Sequence, residues 1–137
     1  YKKNIYNNSR RKLAKPYSND PNDFGNLEWD DFCKKTEKLM KDLHHVSKDG
    51  AYNVWVVRDY RDMQNNIPYV NLHSKIAELA SKSNWVLTDI VVWDQTDQRH
   101  LVKLGGNKSR RFYFNIGHSY IIILRKNVDG EKFESGN

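Results

Sequence analysis

WVLTDIVVWDQ, residues 85–95, and FYFNIGHSYIIILRK, residues 112–126, are two apolar runs that flank a basic, glycine-containing segment. No acidic residue occurs from Gln98 to Val128. A β-strand, a cationic loop and a second strand opening with three aromatic side chains suggest a platform for a nucleic-acid base. Alternation along a strand sends Phe112 and Phe114 to one face and Tyr113 to the other, so at least one of these rings belongs to a core. An exposed member of the triplet, beside Arg110 and Arg111, is a candidate base-stacking residue. Trp93, at the end of the preceding strand, is a second. Trp29, Trp55 and Trp85 fall in periodic apolar patterns and are assigned to the core.

The charge pattern supports the same reading. The chain has 137 residues and a formal net charge of +6. Residues 1–18 carry Lys2, Lys3, Arg10, Arg11, Lys12 and Lys15 without an acid, whereas residues 19–137 hold 17 basic and 17 acidic groups. Within that balanced part, residues 98–128 hold Arg99, Lys103, Lys108, Arg110, Arg111, Arg125 and Lys126 unopposed. Each Lys or Arg that contacts phosphate releases condensed counterions, so two cationic patches suit a polyanion. The candidate nucleic-acid contacts are Arg10, Arg11, Lys12, Lys15, Arg99, Lys103, Lys108, Arg110 and Arg111. No run of eighteen apolar residues and no apolar segment of a secretory leader occurs, which points to a soluble, cytoplasmic protein without membrane contact. The single cysteine, Cys33, excludes an intrachain disulfide and sits on an apolar helical stripe.

Residues 1–26 have no sustained period and read as a basic arm; residues 27–137 read as one α/β domain. Leu27–Val46 places Trp29, Phe32, Cys33, Thr36, Leu39, Met40 and Leu43 at three- and four-residue steps, an amphipathic helix with Asn26 as N-cap. Ala51–Val57 reads as a buried strand. Arg58–Tyr69 is a polar connection in which Pro68 disfavours helix. Asn71 caps a second helix running to about Ser83, with Leu72, Ile76, Leu79 and Ala80 on its apolar face. Trp85–Trp93 is the second strand, residues 94–111 the cationic loop, and Phe112–Arg125 a third strand, bent or interrupted at Gly117. The order implies a right-handed crossover followed by a hairpin-like terminal pair.

Several segments carry a family resemblance. The run Asp20-Pro21-Asn22-Asp23-Phe24-Gly25-Asn26, the strand Tyr52–Val57 after Gly50, the run Asp89–Gln95, and Arg111-Phe112-Tyr113-Phe114 leading into His118–Lys126 resemble the N6-adenine/N4-cytosine DNA methyltransferases. They match the catalytic half, in the order where it precedes the cofactor half. The resemblance implies a partial Rossmann-like methyltransferase sheet with two main helices, the final strand antiparallel and inserted beside Ala51–Val57. It implies methyl transfer from S-adenosylmethionine to an exocyclic amine of a flipped DNA base, as in restriction-modification. Two motifs of that family are missing. The Asp/Asn/Ser-Pro-Pro-aromatic tetrapeptide is replaced by SRRKLAKPYS, residues 9–18, in which Lys15-Pro16-Tyr17 keeps one Pro-aromatic pair. No strand-to-helix junction groups glycines into an FxGxG-like cofactor loop. An attacking amine acquires positive charge, which arginines at that position would oppose. The expectation is therefore no independent activity, and catalytic and cofactor-binding residues are not assigned.

The alternative of a different class is a non-catalytic protein reusing this fold to bind nucleic acid or a nucleoprotein, such as a phage-encoded antagonist of a host defence nuclease. Other constellations have blander readings. His44-His45 lacks a third metal ligand at suitable spacing. His100 and His118 flank the basic loop and can contact phosphate or base; His118 and Ser119, adjacent on a strand, point to opposite faces and do not form a nucleophile–base pair. Asp59, Asp62, Asp89, Asp94 and Asp97 lie near strand ends as a nuclease-like set, with Arg58, Arg61 and Arg99 as nearby salt-bridge partners. No metal is expected.

Overall fold

The computed structural model describes residues 19–62, 65–98 and 114–132. Two helices, α1 (Trp29–Val46) and α2 (Leu72–Lys82), pack on one face of a sheet made of β1 (Tyr52–Val57), β4 (Val86–Asp94) and β5 (His118–Arg125). A hairpin of β2 (Tyr60–Asp62) and β3 (Ile67–Val70) stands apart from it. The sheet order is β1-β5-β4, and β5 is antiparallel to both neighbours, so β1 and β4 run parallel with the last strand inserted between them. This is the mixed α/β arrangement expected from the sequence.

Strand alternation decides what is buried. In β5, Ile122 and Leu124 are fully buried beneath the helices. They join Met40 of α1, Ile76 and Ala80 of α2, and Trp85, with Phe32, Leu43, Trp55, Val57 and Leu72 packed around them. Full burial of Met40, Ile76, Ile122 and Leu124 contributes about 1.5–3 kcal/mol each. The Trp85 indole N–H donates to the Met40 carbonyl at 2.9 Å, tying the start of β4 to α1. Lys126 Nζ donates to the carbonyls of His44 and Ser47 at 2.8 and 2.9 Å and closes the end of α1. Its positive charge suits the negative end of the helix dipole. The other sheet face is open: Tyr52, Val54 and Val56 are exposed, and Val56, Ile121 and Val91 lie in register across it.

Several boundaries differ from the sequence reading. Asn26 is not the cap of α1; it ends a short 3-10 turn, and Glu28 is the N-cap residue. The reason is local. Asp23 accepts the Gly25 N–H at 2.9 Å, and the Asn26 amide donates to the Asp20 carbonyl, so the DPNDFGN turn closes on itself before the helix starts. β1 is half exposed, not buried, because one sheet face lacks a helix layer among the described residues. Arg58–Tyr69 is not merely a connection but contains most of the hairpin, turned through Asn66 at φ 56°. β5 starts at His118, six residues later than expected. Trp29 is half buried and stacks on Phe32, at the margin of the core rather than inside it.

Candidate functional site

The site is built at the carboxyl ends of β1 and β4, where doubly wound sheets place ligands. Pairing fixes the location: Val57 lies opposite Tyr120, Trp93 opposite Ser119 and Asp94 opposite His118. Two residues beyond β1, Asp59 is 1% exposed. Its carboxylate accepts the Tyr69 hydroxyl at 2.7 Å, the His73 backbone N–H at 3.0 Å and His73 Nδ1 at 2.8 Å. Asp59 thereby caps α2 from outside the helix. Asn71 holds the N-cap position but makes no side-chain capping bond, and His73 is the second helical residue, whose N–H is one of the orphan donors.

The electrostatics follow from this geometry. Burial acts to raise the Asp59 pKa, but the His73 backbone and ring and the Tyr69 hydroxyl outweigh it, and the carboxyl lies below its ordinary value. Burial and the bond to Asp59 push Tyr69 up to about 12. The His73 ring stacks on Tyr120 with centroids 3.8 Å apart, and the Tyr120 hydroxyl meets His118 Nε2 at 3.1 Å. Asp59, His73, Tyr120 and His118 thus form one contiguous chain along the edge. The contact of Nδ1 with the Asp59 carboxylate orients the His73 imidazole.

The entry and exit of the cationic segment are both anchored here. Asp94 accepts the Thr96 N–H at 2.9 Å, and the Gln95 N–H donates to the Gly117 carbonyl at 2.8 Å. Ser119, buried, donates its hydroxyl to the Gln95 side chain at 2.6 Å. Arg58 donates to the Ile116 carbonyl, and Arg61 to those of Phe114 and Pro68 at 2.8 and 2.9 Å. The carbonyls of Phe114 and Ile116 are therefore held by guanidinium donors instead of a strand ladder, and β5 starts only at His118. The carboxylate of Asp59 finds its partners in Tyr69 and His73, not in the flanking arginines. Among the described residues no three His, Cys, Asp or Glu side chains gather as a metal site.

Arg10, Arg11, Lys12, Lys15, Arg99, Lys103, Lys108, Arg110, Arg111, Phe112 and Tyr113 lie outside the described residues. Phe114, 74% exposed, and Trp93, 41% exposed, both present apolar surface near the edge. Two cations of the 98–128 stretch have structural partners: Arg125 pairs with Glu131, and Lys126 closes α1. His118 and Ser119 do diverge, one toward Tyr120 and the other toward Gln95. The Asp59–His73 pair was missed because its members are separated by 14 residues and a hairpin; the one available signal was an aspartate two residues beyond a strand.

A groove of about 510 Å³ opens between the N-terminal ends of α1 and α2 and the hairpin, walled by Trp29, Tyr60, Ile67, Tyr69 and Val70. Glu28, Asp62, Asn65, Ser74, Lys75 and Glu78 contribute polar groups to it.

No family model and no curated protein matches this chain. Solved structures do. Three crystal structures of one Thermus thermophilus protein, provisionally assigned as a DNA modification methylase, are similar to it. A selenomethionine derivative aligns at 15% identity and TM-score 0.58, over 77% of this chain and 41% of that one. The complex with S-adenosyl-L-methionine aligns at 16% and 0.59, over 88% and 46%. A third structure gives 17% and 0.59, over 87% and 46%. The chain spans less than half the length of that protein. What such distant likenesses establish is architecture: this chain has a DNA-methyltransferase-like fold.

Proposed function

We propose that this chain is the base-handling part of an S-adenosylmethionine-dependent DNA methyltransferase acting on the exocyclic amine of adenine or cytosine, inactive without a separate cofactor-binding part. The observation that carries the reading is the insertion of β5 between parallel β1 and β4. That insertion brings both ends of the basic segment to one edge, beside Asp59, His73, Tyr120 and His118. DNA is the partner that the charge suits, with Arg10, Arg11, Lys12 and Lys15 of the arm and Arg99, Lys103, Lys108, Arg110 and Arg111 of the loop as phosphate contacts. Phe112, Tyr113, Phe114 and Trp93 are the stacking candidates.

S-adenosylmethionine would supply the methyl group. The described residues offer no glycine-rich strand-to-helix loop for it, so the residues at the edge are assigned to the base and not to the donor. Isothermal titration calorimetry tests this: the 137-residue chain is expected to bind duplex DNA in a salt-dependent manner and to give no heat with S-adenosylmethionine. Donor binding by this chain alone would overturn the division of labour; absence of DNA binding would overturn the base-handling role. The second reading, a non-catalytic nucleic-acid or nucleoprotein binder, is favoured by the lack of both the Pro-Pro-aromatic tetrapeptide and the FxGxG-like loop in the 137 residues.

A further inference from the structure

Among the described residues, β4 pairs with β5 on one side and with no strand on the other. β1 is also terminal in the sheet, but along it exposed residues alternate with half-buried ones, as on a strand whose inner face is covered. In β4 the alternation stops. Every residue from Asp89 to Asp94 is exposed, and Ile90, Val91, Val92 and Trp93 are so by 43, 44, 60 and 41%. Both faces of this stretch therefore meet solvent together with its open edge. Folded proteins usually blunt such an edge with Lys, Pro, a bulge or a short strand. β4 has nine residues and contains neither Lys nor Pro. Its register shift lies between Leu87 and Asp89, so the pairing from Ile90 opposite Ile122 to Asp94 opposite His118 is regular.

We infer that β4 pairs antiparallel with β4 of a second copy of this chain, about a two-fold axis through Val91, joining two three-stranded sheets into one continuous sheet. The occupant follows from the charge pattern. Asp89 and Asp94 bracket four apolar residues, so the stretch matches itself when reversed. With the axis at Val91, that residue faces its own copy, Ile90 faces Val92 and Asp89 faces Trp93, and no carboxylate opposes another. An axis between Val91 and Val92 would instead set Asp89 directly against Asp94, which like charges disfavour. Such a self-matching surface is what an isologous contact requires, and main-chain hydrogen bonds between the two edges supply its directionality. An even register also keeps the helices of both copies on one side of the joint sheet. The inference does not rest on the proposed DNA role, since none of the basic residues assigned to DNA lies in β4.

Sedimentation velocity of the full chain, without nucleic acid, tests this. A monomer–dimer equilibrium with a dissociation constant on the order of 1–100 μM is expected, as suits a strand-sized contact at the low end of interface areas. Val91→Lys and Val91→Glu each set like charges face to face at the axis, and each should weaken the dimer at least about tenfold. An equimolar mixture of the two should recover it, which a merely damaged fold would not do. Val54→Lys, on the open face of β1, should leave the equilibrium unchanged. Hydrogen exchange of the wild type gives a reading independent of any variant: outward amides between Ile90 and Trp93 should gain protection as concentration rises, and those of β1 should not. A monomer throughout about 5–500 μM would overturn the inference and leave the edge to an extended segment of another protein. Assembly beyond the dimer, a dimer lost in Val54→Lys but kept in Val91→Lys, no recovery on mixing, or β4 amides indifferent to concentration would overturn it as well.

Discussion

Asp59 shows how much one buried carboxylate organises. It satisfies an orphan N–H of α2, orients an imidazole and accepts a tyrosine hydroxyl. Asp59→Ala leaves those donors unpaired and is expected to cost about 2–3 kcal/mol, read as a lower urea midpoint at unchanged slope. The pH dependence has a definite sign on each side. The depressed Asp59 pKa stabilises the fold fully above the unfolded value of about 3.9, and the contribution is lost as pH falls through the folded value. The Tyr69 pKa, raised from 10.0 to about 12, stabilises the fold below 10, and that contribution is lost as pH rises toward 12. Between about pH 9 and 11, wild-type protein should therefore lose more of its urea midpoint than Tyr69→Phe; an equal loss in both would remove Tyr69 from the alkaline transition. Gly117 is a third sensitive position. A Cβ there would lie 2.7 Å from Thr96 Cγ2, so Gly117→Ala must displace the turn that starts the basic segment.

At the scale of elements, the two faces of the sheet predict unequal tolerance. Ile122→Ala, beneath both helices, is expected to cost about 2–5 kcal/mol, whereas Val54→Thr on the open face should change stability by no more than about 0.5 kcal/mol. Denaturant titration of both variants checks the contrast. These elements were legible in the sequence to different degrees, for physical reasons. α1 and α2 show sustained 3.6-residue periods, and β4 and β5 are rich in β-branched residues, so type and order follow from pattern. The insertion of β5 between its neighbours came only with the family resemblance, since pairing order is a long-range property. The hairpin was hidden because its strands have three and four residues with no apolar alternation, and its placement depends on Arg61 reaching Pro68 and Phe114. The same holds for the site: the basic residues are visible as composition, but the Asp59–His73–Tyr120–His118 chain exists only after α2 docks on the sheet.

At the scale of the whole molecule, charge is segregated. The arm and the loop are basic in sequence, while the charged residues lining the groove between the helix N-termini are Glu28, Asp62, Glu78 and Lys75. Replacing Arg10, Arg11 and Lys12 with Ala should lower DNA affinity and reduce the slope of log K against log salt by up to about three, as expected for three lost phosphate contacts. An unchanged slope would remove the arm from the interface. The position of β5 has a further consequence for biosynthesis. The strand translated last among the described elements is the one in the middle, so β1 and β4 leave the ribosome with no partner between them. Their Val- and Ile-rich edges stay unpaired until His118–Arg125 emerges. Until that moment the nascent polypeptide is a client for chaperones, and any premature stop before residue 118 should yield material that aggregates rather than a smaller folded domain.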